Sequence, residues 1–306
     1  MPTIKNFIKQ IIQATGFDIK RTENKVYADA SKLEKGTSYV ERYREIVSDP
    51  INILIKRVPE AGYVDKNDCV ILHNGHRVPV AGHLAYYRDF SDILIINRGV
   101  HEPLEEYCFQ EMLRKIKSES PKMIELGSYW AHYSMWLMKE FPKANCYMVE
   151  PEQRNKKCGE NNFTINGYKG EFIKSFVGST SFQLDAFTSE RNISSLDVLH
   201  ADIQGYELEM LQGGQSFLTS HRANYVFIST HSETLHSSVV EKLKEFGYRI
   251  EVSSEVSYHT TSGDGFVLAS SPKVSSIFRD FSPLGRRDIA ISTPQDLINS
   301  LNSILR

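Results

Sequence analysis

The chain has 306 residues, 41% hydrophobic and 24% charged, so it carries enough apolar material for one large core within ordinary globular values. Its formal net charge of −2 offers no general attraction to nucleic acid or an anionic membrane, and no dense run of Lys or Arg reverses that locally. Cys69, Cys108, Cys146 and Cys158 show neither C-x-x-C pairing nor zinc-type spacing with histidine, which argues against a disulfide framework and for a reducing, cytoplasmic setting.

In chain order, Ile4 to Phe17 reads as an amphipathic helix resting on the domain rather than a signal peptide, because its apolar run is broken and no cleavage site follows. No stretch approaches the ~18 apolar residues of a spanning helix. Tyr39 to Val47 suggests a second short helix. Apolar segments at 51–55, 69–72 and 77–80 suggest strands, with Asn74-Gly75 marking a hairpin between the last two. Residues 1–98 are therefore expected to form an N-terminal α/β extension, serving the substrate or homo-oligomerisation. Glu102 to Lys117 is a marked helix: Pro103 stands at its first position, Glu105 and Glu106 in its first turn, and Leu104, Tyr107, Met112, Leu113 and Ile116 along one stripe.

From Lys122 strand and helix alternate, the signature of a parallel sheet. Strands are expected at 122–126, 145–149, 171–177, 196–203 and 224–230, and helices at 130–140, 152–166, 205–213 and 234–246. Gly167 and Gly247 stand where C-caps belong. The last two strands, Tyr248 to Val252 and Gly265 to Ala269, have no helix between them. A mostly parallel seven-stranded sheet ending in an antiparallel hairpin is the class I methyltransferase variant of the Rossmann-like fold. The expected domain spans 99–270, followed by a tail, 271–306, whose last helix runs from Pro294 to Leu305.

The chemistry gathers at strand ends. After the first core strand come Glu125, Gly127, Ser128, Tyr129 and Trp130, a tight turn opening a helix. Neither G-x-G-x-x-G nor G-x-x-x-x-G-K-[ST] is present, so the turn does not read as a phosphate site. One acid and one glycine suit a cationic ligand such as S-adenosylmethionine, with the glycine letting the ligand approach the backbone. Glu150 ends the second strand 25 residues after Glu125, near the ~20-residue offset at which such folds place a carboxylate on ribose hydroxyls. The fourth strand ends at Asp202, with Gln204, Gly205 and Glu207 following at the mouth of the crevice. His200 is expected as a core histidine. His231 ends the fifth strand opposite Asp202, while Glu233 and His236 read as surface or capping residues. Two roles remain open for Asp202 and His231: a metal-free pair in which His231 is the general base, or ligands of a Mg²⁺ or Mn²⁺ ion, with Asp264 as a third.

Residues 97–269 resemble the FkbM family of S-adenosylmethionine-dependent methyltransferases. The resemblance rests on Gly99-Val100-His101-Glu102-Pro103, Glu125-Leu126-Gly127-Ser128, Val149-Glu150-Pro151 and Asp202-Ile203-Gln204-Gly205-Tyr206-Glu207. Thr230-His231-Ser232 and Gly263-Asp264-Gly265 add to it. It implies S-adenosylmethionine as cofactor and methyl transfer to a hydroxyl on a sugar, glycan or secondary metabolite. The cofactor set is then Glu102, Glu125, Gly127, Ser128, Tyr129, Trp130, Glu150, Asp202 and Gln204. The chain departs from the usual glycine motif at Tyr129, Trp130 and Ala131. An N-P-P-Y-type strand end is absent, which favours oxygen over nitrogen as acceptor. The alternatives are a nucleotide-binding oxidoreductase and a non-catalytic binding module on the same fold.

Overall fold

The computed structural model describes residues 39–86, 91–178, 180–256 and 261–305. The expected Ile4 to Phe17 helix lies outside the described residues. The first described element is α1 (Tyr39–Ser48). The strand expected at 51–55 is instead a single 3-10 turn, Pro50–Ile53, and its cause is local. Pro50 has no N–H to give a ladder, and the Asp49 carboxylate caps the turn by accepting from the Ile51 N–H at 2.9 Å. The hairpin is present as β1 (Cys69–Ile71) and β2 (Arg77–Pro79), paired antiparallel with Gly75 at φ +88 in its turn. A short helix that periodicity did not reveal, α2 (Asp92–Ile96), precedes α3 (Pro103–Leu113).

The core then alternates: β3 (Lys122–Leu126), α4 (His132–Glu140), β4 (Asn145–Val149), α5 (Gln153–Asn166), β5 (Glu171–Ile173), α6 (Leu184–Glu190) and β6 (Leu196–Ala201). It continues through α7 (Glu207–Gly213), α8 (Gln215–Thr219), β7 (Ala223–Thr230), α9 (Glu233–Glu245), β8 (Arg249–Ser254) and β9 (Gly265–Ser270). The tail holds α10 (Arg286–Ile291) and α11 (Pro294–Ile304). The sheet has seven strands in the order β5-β4-β3-β6-β7-β9-β8. β3 to β7 are mutually parallel, and β9 runs antiparallel to both its neighbours. This is the class I methyltransferase arrangement. β5 is shorter than expected because it is an edge strand, paired with β4 over only three residues.

Strand parity sorts the side chains onto two faces. Met123, Val198, Phe227 and Leu268 pack on one face with Phe109, Tyr133 and Trp136. Ile124, Leu199, Val226 and Val267 pack on the other with Leu211, Val239 and Leu243. Ile46 of α1 and Val70, Leu72 and Val78 of the hairpin join the first cluster, so the N-terminal segment closes that face. The Asn166 side chain fixes the hairpin to α5, accepting from the Arg77 N–H and donating to the Arg77 carbonyl, both at 2.9 Å.

Candidate active site

The carboxyl edge of the sheet is where β3 and β6, adjacent in space, send their connections in opposite directions. In open α/β sheets this switch point is the natural crevice. The chain leaves β3 through Gly127 at φ +71, and the Asp202 N–H donates to the Leu126 carbonyl at 2.9 Å. Tyr129 and Ala131 also adopt left-handed backbone before α4 begins. A cavity of about 50 Å³ opens here between Glu102, Glu125, Ser128, Tyr129, Trp130 and Asp202, with Gly127 also on its wall.

Glu125 is 3% exposed, and its carboxylate accepts from the Ser134 N–H in the first turn of α4 at 3.0 Å. Burial pushes its pKa up. Glu150 lies outside the cavity lining; its two oxygens accept from the Tyr129 N–H at 3.1 Å and the Glu152 N–H at 2.9 Å. It braces the turn that follows β3. The buried Ser128 hydroxyl has no hydrogen-bond partner among the described residues. Trp130 is wedged between Tyr86, at 4.4 Å between ring centroids, and His132, stacked at 4.8 Å. Tyr129 receives a hydrogen bond from Arg154 at 3.5 Å.

His231 lies just past β7. Its Nδ1 is 2.7 Å from Glu207 Oε1, and its Nε2 is 3.2 Å from Asp202 Oδ1 and 3.7 Å from Asp264 Oδ1. Gln204, at φ +53, brings its amide nitrogen within 2.8 Å of His231 Nε2. Burial works against charge on this ring, but hydrogen bonds and attraction from Asp202 and Glu207, with Asp264, outweigh it and raise the pKa to about 10. The residue that orients the ring is thus Glu207, which is fully buried, while Asp202 stands on the Nε2 side. Sequence reasoning had given the orienting role to Asp202. The Glu207 carboxylate, five residues after Asp202, was legible as facing the crevice, but its reach to His231 depends on how α7 turns.

A second polar system runs behind the cavity wall. Glu105 and Glu106, in the first turn of α3 as expected, are 5% and 0% exposed. Glu105 Oε1 lies 2.6 Å from His200 Nε2, and its Oε2 accepts from the Ser229 hydroxyl at 3.0 Å. His200 is therefore a buried, bonded core histidine at the cavity edge. Glu106 Oε1 accepts from the His101 and Glu102 N–H groups and lies 2.6 Å from His101 Nδ1. Burial opposes charge on His101, but Glu102 and Glu106 overcome it and raise its pKa to about 10. Glu102 reaches the cavity at the N-terminus of α3, with Oε2 3.0 Å from His101 Nε2. His236 is not a surface residue: it is 3% exposed, its two ring nitrogens 2.9 Å from the Thr230 and Ser253 hydroxyls, because α9 packs its first turn against the sheet.

The strand order and the crevice define a class I methyltransferase fold. Residues 102–250 match the family model of the methyltransferase FkbM domain. No curated protein matches the chain in sequence. Among solved structures it is similar to a precorrin-6y C5,15-methyltransferase from Geobacter metallireducens, at 13% identity and TM-score 0.39 over 53% of this chain and 86% of that one. It is similar to a ribosomal protein L11 methylase from Lactobacillus delbrueckii, at 12% and 0.41 over 56% and 80%. It is also similar to M. capricolum TrmK in complex with S-adenosyl-homocysteine, at 14% and 0.39 over 64% and 81%. No helix among the described residues is long and apolar enough to cross a membrane.

Proposed function

We propose that this methyltransferase transfers the methyl group of S-adenosylmethionine to a hydroxyl of a sugar, glycan or polyhydroxylated small molecule. The observation that carries the reading is the Glu207–His231–Asp202 arrangement at the carboxyl edge of β6 and β7. Methyl transfer is an in-line displacement at a sulfonium carbon, so catalysis consists of positioning and the removal of one proton. An acceptor hydroxyl gives its proton to His231 Nε2, while Glu207 holds Nδ1 and stabilises the imidazolium that results. In the ligand-free chain His231 already carries that proton at neutral pH. The sulfonium charge arriving beside it lowers its pKa and makes it a base when the cofactor is in place.

Carboxylates dominate this crevice: Glu102, Glu105, Glu125, Asp202, Glu207 and Asp264 face or adjoin it, which suits a cationic cofactor better than a dinucleotide. Glu125 serves the amino-acid end and Glu150 the ribose hydroxyls. The metal-free version is preferred over a Mg²⁺ or Mn²⁺ ion at this point. Carboxylates already occupy both ring nitrogens of His231, which holds the ring in place without a metal. Methyl transfer assayed against nucleotide sugars and glycans, with and without added Mg²⁺ or Mn²⁺, tests the reading. Turnover that is not raised by added Mg²⁺ or Mn²⁺ and is lost in His231→Ala is expected; failure to bind S-adenosylmethionine by calorimetry overturns it.

A further inference from the structure

We propose that His73, Glu106 and His132 form a zinc site that ties the N-terminal hairpin to the start of the methyltransferase core. The three residues come from separate elements: the turn between β1 and β2, the first turn of α3 and the first residue of α4. Their donor atoms lie within 4.8 Å of one another, with exposures of 1%, 0% and 1%. His73 Nε2 is 2.9 Å and His132 Nε2 3.8 Å from Glu106 Oε2.

The polar bookkeeping points to a missing cation. Among the described residues, neither ring nitrogen of His132 completes a hydrogen bond, nor do Glu106 Oε2 and His73 Nε2, whose close approach lies outside hydrogen-bond geometry. Buried polar atoms left without partners are rare, and here several converge on one point. The surrounding groups are arranged as a ligand shell requires. Glu106 Oε1 is saturated by the His101 and Glu102 N–H groups and the His101 ring, so the carboxylate has only Oε2 to offer. His73 Nδ1 lies 3.3 Å from the Lys56 carbonyl, an outer contact that leaves Nε2 as the lone-pair nitrogen. Two imidazoles and one carboxylate are a zinc donor set, with a fourth position left for water. A cavity of about 420 Å³ reaches His73 from the side of Trp136, Lys139 and Gln110, giving an ion a way in.

The site is separate from the His231 crevice, and its role is to hold conformation. His132 follows directly on Tyr129, Trp130 and left-handed Ala131, and stacks on Trp130. An ion on His132 fixes the end of the turn that lines the crevice.

The test uses the full-length chain purified without a histidine tag or chelator. Metal analysis should find one zinc ion per chain, and removing it should lower Tm by several degrees. Cobalt substitution should give the visible bands of a four-coordinate site. His132→Ala and Glu106→Gln should lose the metal with far-UV circular dichroism retained. A chain that is purified metal-free, does not shift in Tm with equimolar Zn²⁺ and gives no cobalt bands overturns the proposal. So does metal retained undiminished in both variants. Should the variants not fold, X-ray absorption on the wild-type zinc protein counts imidazoles directly, and fewer than two overturns the site. None of these readings uses methyl transfer, so they stand apart from the proposed activity.

Discussion

The Cβ that Gly127 lacks would stand 1.7 Å from the carbonyl oxygen of Asp202. The turn after β3 and the loop after β6 therefore meet backbone to backbone, and Gly127 is required by this contact between chain segments. The sequence suggested a glycine that lets a ligand approach; the neighbour it admits is another strand connection. Gly127→Ala must both hold an L-residue at φ +71 and displace backbone, which costs about 3 kcal/mol or more. Chemical denaturation should report that loss, and a variant of wild-type stability would refute the account.

The Glu207–His231 contact sets a pH dependence with a defined sign. The folded-state pKa of His231 is raised from 6.5 to about 10. Its charged contacts thus stabilise the fold fully below pH 6.5, and that contribution is lost as pH rises toward 10. Glu207→Gln removes one of the carboxylates that hold the ring, so its pKa falls and the alkaline limb moves to lower pH. Titration of the His231 imidazole by NMR in both forms checks the direction; an unchanged pKa in Glu207→Gln would exclude the assignment.

Glu150 carries a double expectation. If it binds the ribose hydroxyls, Glu150→Ala weakens S-adenosylmethionine binding by roughly 1.5–3 kcal/mol, more than tenfold. The same change also frees the Tyr129 N–H that Glu150 now holds. Glu150→Gln keeps an acceptor for that N–H but removes the charge, so affinity by calorimetry should fall in both variants while melting falls mainly in Glu150→Ala. Equal affinity in all three proteins would reduce Glu150 to a brace.

Glu105 and His200 form a buried pair at 2.6 Å with Ser229 as third member. Removing one partner strands the other, and Glu105→Ala should cost about 3–5 kcal/mol. Denaturant melts would show it. A loss below about 1 kcal/mol, the range of exposed pairs, would mean that water reaches the site.

The sheet was readable because its rules are local. β3 and β4 occupy the residues expected, since apolar runs bounded by Pro121, Gly127 and Pro151 leave little freedom. The strand-end positions of Glu125, Asp202 and His231 followed from the same pattern. What stayed hidden depends on partners far along the chain. Glu105 meets His200 95 residues later, and the first-turn position of an acid does not reveal such a partner. One signal was there: Tyr107, Cys108 and Phe109 are consecutive and point all round α3, and a helix apolar on every side has no solvated first turn. Pro50 after Asp49 was a second overlooked signal, because the pair starts a turn more readily than a strand.

The order in which the strands are made differs from the order in which they sit. β9, last of the nine to leave the ribosome, lies between β7 and β8, and β8 pairs with β9 alone in the sheet. Until residue 270 has emerged, β7 presents an open edge and β8 has no strand to join. A nascent chain stalled or cut short before Gly265 would expose an apolar, ladder-ready edge at Val226–Ile228, the kind of surface that chaperones bind and that aggregates grow from.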